Sequence, residues 1–182
     1  MASFSTSDAA PAIRRATPGD AATLSALGRD TFIETWIEGY RMPYAPDAVA
    51  AHLDAGFGEP VIAARLADPA NAYWLVEQEG RAVGYAFAGS CTLPYPDLRP
   101  EDGELKHLYL RRDAQTGGVG GALLDAALAW LERDGPRRIW LGVWSGNTRA
   151  QRFYARRGFT IVGEHTYPVG DVVDREFAMR RG

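Results

Sequence analysis

Gln115-Thr116-Gly117-Gly118-Val119-Gly120-Gly121 is the stretch whose reading decides the fold. It stands between a strand-like run, Leu105 to Leu110, and a helical stripe of Val119, Ala122, Leu123, Ala126, Ala127, Trp130 and Leu131. Glycines at a strand-to-helix turn let the backbone approach a ligand closely, and the first amides of the helix are donors without partners. Together with the positive end of the helix dipole they make a phosphate site. The competing reading is a flexible connector. A P-loop is excluded, because no Gly-Lys-Ser/Thr is present and the stretch contains no lysine. A dinucleotide fingerprint is excluded as well, because it needs a glycine three positions after Gly120, where Leu123 stands.

Working outward, the chain alternates. Gly135-Pro136 stops the helix, and Ile139 to Trp144 is a nearly all-apolar strand that implies burial on both faces. Asn147 caps a short helix bearing Ala150, Phe153 and Tyr154, which Gly158 ends; two strands follow from Phe159 and Val172. Upstream, Tyr73 to Val76 and Ala82 to Ala88 form a hairpin around Glu79-Gly80-Arg81. A loop from Leu93 to Gly103, rich in Pro and Asp, reads as mobile surface. Ile13 opens a first strand, and Thr17-Pro18-Gly19-Asp20 starts a helix whose face carries Leu24, Leu27, Gly28, Thr31, Phe32 and Thr35. Two further helices follow Pro46-Asp47 and run through Val61 to Leu66. The order of elements is α/β with some parallel pairing.

Composition bounds the function. The 182 residues suit one domain at about 150 residues per domain. Residues 1–11 read as a disordered tail and 12–182 as a single domain. Lys plus Arg is 20 against Asp plus Glu at 23, which argues against a general nucleic-acid binder. One cysteine excludes an internal disulfide framework, and the three histidines show no metal-ligand spacing, so no metal is expected. No apolar run reaches the roughly 20 residues of a membrane span, and the N-terminus has no signal-peptide pattern; a cytoplasmic protein is expected. The charge is unevenly spread. Asp97, Glu101, Asp102 and Glu104 crowd the approach to one strand, while Arg149, Arg152, Arg156 and Arg157 crowd the helix of Tyr154.

Gln115, Gly118 and Gly120 form Gln-x-x-Gly-x-Gly, which resembles the acyl-CoA pyrophosphate loop of the GNAT acetyltransferase superfamily. The strand Ile139 to Trp144 and Asn147-x-x-Ala150-x-x-Phe153-Tyr154-x-x-x-Gly158-Phe159 follow in that family's order and spacing. The likeness in motifs covers about residues 104 to 165. The run Ile139 to Trp144 with Gly163, His165 and Gly170-Asp171, together with Asp30-Thr31-Phe32, is similar to bacterial spermidine/spermine acetyltransferases of the PaiA type. The resemblance implies a GNAT fold. That is a mixed, mostly antiparallel sheet of about seven strands, splayed in the middle and flanked by about four to five helices. It also implies acetyl-CoA as co-substrate, bound by the main chain of Leu108, Tyr109 and Leu110 and by Gln115, Thr116, Gly117, Gly118, Val119, Gly120, Gly121 and Asn147. Where family loops often carry a basic residue after the glutamine, Thr116-Gly117 stand here. The phosphate charge then falls to amides or to Arg111 and Arg112.

Acetyl transfer to an amine needs a base for the amine proton and an acid for the leaving thiolate. By resemblance Tyr154 is the candidate acid, against a plain core aromatic. Glu104 is the candidate base, against a solvated strand end, with His107 next because imidazole titrates near neutral pH. The strand glutamate of ribosomal-protein N-terminal acetyltransferases aligns with Gly142. Cys91 has no histidine beside it, which favours direct transfer over an acyl-enzyme. Arg149, Arg152 and Arg156 read as a solvated face or as a contact to the adenosine 3′-phosphate. Glu34, Glu38, Tyr40 and Tyr44 offer carboxylates and aromatic faces to a cationic amine. A small-molecule amine, with a polyamine as one case, is the expected acceptor, and a homodimer is possible by family habit. The alternatives are an amino-acid analogue or peptide N-terminus as acceptor, an inactive acyl-CoA sensor, or an α/β domain that binds some other anion.

Overall fold

Tyr73-Trp74-Leu75-Val76 puts large apolar groups on both faces of one strand, a pattern that needs cover on both sides. The computed structural model, which describes residues 10–182, supplies that cover. The strands are β1 (Ala12–Arg15), β2 (Ala72–Gln78), β3 (Arg81–Ser90), β4 (Gly103–Leu110), β5 (Ile139–Trp144), β6 (Thr160–Val169) and β7 (Val172–Arg181). The helices are α1 (Ala21–Phe32), α2 (Pro46–Phe57), α3 (Glu59–Ala67), α4 (Val119–Leu131) and α5 (Thr148–Ala155). One sheet runs β1-β2-β3-β4-β5-β7-β6, antiparallel throughout except between β4 and β5. This is the mixed, splayed sheet that the sequence implies. Of the tail expected over residues 1–11, residues 1–9 lie outside the described residues.

Strand alternation builds two cores. Trp74, Val76, Ala86 and Ala88 meet Leu123, Leu124, Ala127 and Leu131 of α4 on one face. Tyr73, Leu75, Tyr85 and Phe87 meet Leu24, Leu27, Phe57 and Ile62 of α1 to α3 on the other. Each fully buried leucine of α4 contributes roughly 1.5–3 kcal/mol relative to exposure. Gly28 of α1 is small for a packing reason: a Cβ there would lie 2.4 Å from the Phe57 ring. The Thr17–Asp20 box forms as read, with the Asp20 carboxylate accepting from the Thr17 amide at 2.7 Å.

Two features that position the site depart from the sequence reading. First, α1 does not stop or continue regularly. It runs into a π-helical turn, Ile33–Gly39, which shifts the register and carries Trp36 and Tyr40 toward the middle of the sheet. Such turns occur often at functional sites. Second, the loop from Leu93 to Gly103 is stapled down, which corrects the mobile-loop expectation. The Tyr95 hydroxyl donates to the Val162 carbonyl at 2.6 Å. Buried Asp102 accepts from Arg138 at 2.6 and 2.9 Å, from the Trp140 indole at 2.8 Å and from the Arg99 amide at 3.0 Å. Asp97 pairs with Arg138 and Arg180. The expected acidic approach is therefore largely neutralised from within.

The splay has a local cause. The β3–β4 register skips Lys106, between Phe87↔His107 and Ala88↔Leu105, so β4 bulges there. A bulge bends its strand. Beta4 and β5 pair only through Gly103↔Ile139 and Glu104↔Trp140, and then diverge. Beyond that point the β5-facing edge of β4 has no strand partner among the described residues.

Candidate active site

Past the splay, β4 acts as a partition. Leu108 and Leu110 face a groove of about 480 Å³, while His107 and Tyr109 face a pocket of about 620 Å³. Period-two alternation alone assigns these residues to opposite sides.

The groove is built from the glycine turn. Gly117 and Gly118 have φ of 68° and 78°, left-handed values that disfavour a side chain. Gly118 is the N-cap of α4, so the opening amides of a 13-residue helix point out of the turn. A Cβ on Gly121 would lie 2.4 Å from the Arg157 guanidinium. Gln115 braces the turn: its amide donates to the Leu110 carbonyl at 3.1 Å and accepts from Arg149 at 3.0 Å. Thr116, Val119, Gly120 and Asn147 complete the lining. Asn147 caps α5 as read, its Oδ1 accepting from the Ala150 amide at 3.0 Å. The cations differ from the expectation. Arg111 is engaged by Asp30 and Glu34, and Arg112 bonds the Glu34 carbonyl and approaches Glu38 at 3.7 Å. Arg149, Arg156 and Arg157 of the basic helix and its end line the groove instead.

Tyr154 lines the same groove, half-buried, with its ring against Phe153 and Phe159 at 5.2 and 5.9 Å. Burial, with Tyr109 nearby, raises its pKa, so the hydroxyl stays protonated across the neutral range. Cys91 does not line either cavity, and burial pushes its thiol up to about 11, which leaves little thiolate.

The pocket across β4 has aromatic walls, Trp36, Tyr44, Tyr109 and Tyr167, and carboxylates from Glu104, Asp174 and Glu176. The Trp36 indole donates to the Tyr109 hydroxyl at 3.2 Å, which locks the π turn to β4. Tyr44 donates to Asp174. Glu104 is buried and engaged: one oxygen accepts from Lys106 at 2.7 Å and from the amide and hydroxyl of Thr92 at 2.8 and 3.1 Å. His107 sits among Phe57, Tyr85, Phe87 and Tyr109 at 5.4–6.1 Å. Burial there, with Arg65 adding, lowers its pKa to about 3, too low for a neutral-pH base. That weighs against His107 as the base.

The early carboxylates are redistributed. Glu34 and Glu38 line a separate surface hollow with Arg81, Arg111 and Arg112, because Arg111 holds Glu34 and Arg112 lies beside Glu38. Neither lines the pocket. Tyr40 borders the groove and packs on Trp144 at 4.7 Å, whereas Tyr44 reaches the pocket. Sequence reasoning missed Asp174 and Glu176. A usable signal exists, since the two stand two residues apart in one strand and so share a face.

Among the described residues no helix is long and apolar enough to cross a membrane, and no group of three or more His, Cys, Asp or Glu is placed to hold a metal ion. The model of the acetyltransferase (GNAT) family matches residues 30–159. An uncharacterized N-acetyltransferase of Mycobacterium bovis is 38% identical over 137 residues, 75% of this chain and 83% of that protein. An uncharacterized N-acetyltransferase of Lactobacillus delbrueckii is 27% identical over 156 residues, 86% and 88% of the two chains. The fold is similar to that of a PaiA N-acetyltransferase from Thermoplasma acidophilum solved with coenzyme A. The TM-score is 0.73 at 18% identity, over 95% of this chain and 99% of that one. Splayed sheet, glycine turn and matched sequence agree: the chain belongs to the GNAT family of acetyltransferases.

Proposed function

We propose that the protein transfers the acetyl group of acetyl-CoA directly to a primary amine of a small cationic molecule, with polyamines as the favoured class. The observation that supports this reading is the partition by β4, which leaves a cavity on each side of one strand. The groove fits a CoA ester chemically. It offers outward helix amides at a glycine-rich turn, a free strand edge beside Leu108 to Leu110, and three arginines. Acetyl-CoA, when bound, supplies an activated thioester. The amides of Gly118, Val119 and Gly120 would hold its pyrophosphate, and the β4 main chain its pantetheine arm; the Gly121 amide is taken by the Gly118 carbonyl at 3.0 Å. Tyr154 would donate to the sulfur as the bond to carbon breaks. The amine would arrive from the pocket side, its lone pair attacking the carbonyl carbon while its proton passes to a base.

The pocket supports a cationic acceptor. Asp68, Glu104, Asp174 and Glu176 outnumber Arg65 and Lys106, and aromatic faces add cation–π attraction. The placement of Cys91 outside both cavities, with its thiol held protonated by burial, supports direct transfer. Calorimetry with acetyl-CoA and thiol release over an amine panel that includes spermidine test the reading. Binding with silence across the panel would leave an acyl-CoA sensor, and no binding would sink the proposal. Tyr154→Phe is expected to lower kcat about 10–100-fold with acetyl-CoA affinity within about 2-fold. An unchanged kcat would remove Tyr154 as the acid.

A further inference from the structure

Gly142 and Glu176 are diagonal neighbours across the β5–β7 ladder, near the open end of β5: Gly142 is opposite Ala178 and Trp144 is opposite Glu176. The missing side chain at Gly142 makes room: a Cβ there would lie 2.8 Å from Glu176 Oε2 and 3.5 Å from His165 Nε2. The carboxylate of Glu176 therefore occupies the space above Gly142, reached from β7 rather than from β5. It lines the acceptor pocket together with Tyr109 of the partition strand.

The surroundings of Glu176 are those of a working base. No arginine or lysine lies within ion-pair distance of it among the described residues, whereas Glu104 is held by Lys106 at 2.7 Å. Its nearest charged or titratable neighbour is His165 Nε2 of β6 at 3.6 Å. That nitrogen is itself buried without a hydrogen-bond partner among the described residues. The other groups facing it are Asp174 on its own strand, Glu104 and Tyr109 from β4, Tyr167 from β6, and Tyr44 from the segment before α2. Burial first, then the repulsion of Asp174 and Glu104, raises the Glu176 pKa to about 7. A base is most effective when its pKa lies near the working pH.

We infer that Glu176 is the general base that takes the proton from the attacking amine, with Gly142 keeping the space open for its carboxylate. This rests on the acetyl-transfer reading above. The amine N–H bond breaks as the new N–C bond forms, and the proton moves to Glu176 Oε2. The thioester C–S bond breaks, its electron pair leaves on sulfur, and the Tyr154 hydroxyl protonates that sulfur. Both side chains return to their starting states through solvent.

The test is the pH profile of kcat, followed by thiol release with saturating acetyl-CoA and the panel amine of highest turnover. The wild type is expected to show a limb rising through pH about 7. Glu176→Gln is expected to lose about 100-fold or more in kcat and to lose that limb, with calorimetric acetyl-CoA affinity unchanged. Gly142→Ala keeps the carboxylate but displaces it, so a drop of about tenfold is expected with affinity again intact. A wild-type enzyme that turns over while Glu176→Gln keeps its rate or its limb overturns the inference alone. So does transfer of the lost limb to Glu104→Gln. A wild-type enzyme silent across the panel overturns the acetyl-transfer reading, and this inference with it.

Discussion

Glu104 and Glu176 are two carboxylates of one pocket with opposite surroundings. Glu104 stands two residues from Lys106, so period-two alternation puts both on one side of β4, and the bulge at Lys106 brings His107 and Tyr109 to that same side. Glu176 has no arginine or lysine beside it among the described residues and is largely withdrawn from water. The difference has a consequence for stability as well as for catalysis. A free glutamate titrates at about 4.3 in the unfolded chain, against about 7 in the fold. Between those values the folded protein holds a proton that the unfolded chain has released, so stability falls as pH rises, and the loss is complete above about 7. Glu176→Gln never ionises. It is expected to match the wild type near pH 4 and to exceed it by on the order of 2–4 kcal/mol near pH 8, measured by denaturant unfolding at both pH values. Equal stability at both would mean that Glu176 is not raised. The same logic of burial explains why His107 looks suitable on paper: imidazole chemistry is written in the sequence, but the cage of four aromatic rings is not.

Elements here owe their placement to a few tertiary ties. The loop between β3 and β4 reads as mobile because Pro, Asp and Gly are turn formers, yet Asp102 turns it into a strut. Its carboxylate is 1% exposed as a residue and bonds the side chains of Arg138 and Trp140. Burial raises the pKa of Asp102, but the Arg138, Arg99 and Trp140 donors outweigh that and lower it overall. Its contribution is present above the unfolded value of about 3.9 and is lost as pH falls through its depressed folded value. Asp102→Asn leaves Arg138 without its innermost partner. It is expected to cost about 3 kcal/mol at neutral pH, read as a lower denaturation midpoint, with much of the gap to the wild type closing in acid. The π turn after α1 is the other such element. Ile33 to Gly39 continues a helical pattern, and nothing local marks the added residue. The tie that holds it, Trp36 to Tyr109, spans 73 residues of sequence.

Across the whole molecule the net charge of −3 conceals a division of labour between two cavities. Arginines 149, 156 and 157 line the groove, and carboxylates dominate the pocket. The two sides of β4 therefore attract opposite charges. Raising salt from about 0.05 M to about 0.5 M is expected to weaken acetyl-CoA binding several-fold in calorimetry, because exposed charges are screened within a Debye length. An unchanged affinity would assign the binding to amides and packing rather than to the arginines. Much of this architecture is legible in local patterns. The glycine turn, the α4 stripe, the Asn147 cap and the apolar runs of β2 and β5 follow from backbone sterics and from periods of 2 and 3.6, which act between near neighbours. They determine the α/β class, the order of elements and the CoA-loop resemblance. Only the tertiary structure decides which charges are free. Chain folding pairs Glu34 with Arg111, Glu38 with Arg112 and Asp97 with Arg138, partners far apart in sequence, and leaves Glu176 over Gly142 without a cation. The reason is physical: propensity and periodicity are local, whereas ion pairing and desolvation depend on what the folded chain brings within a few ångströms.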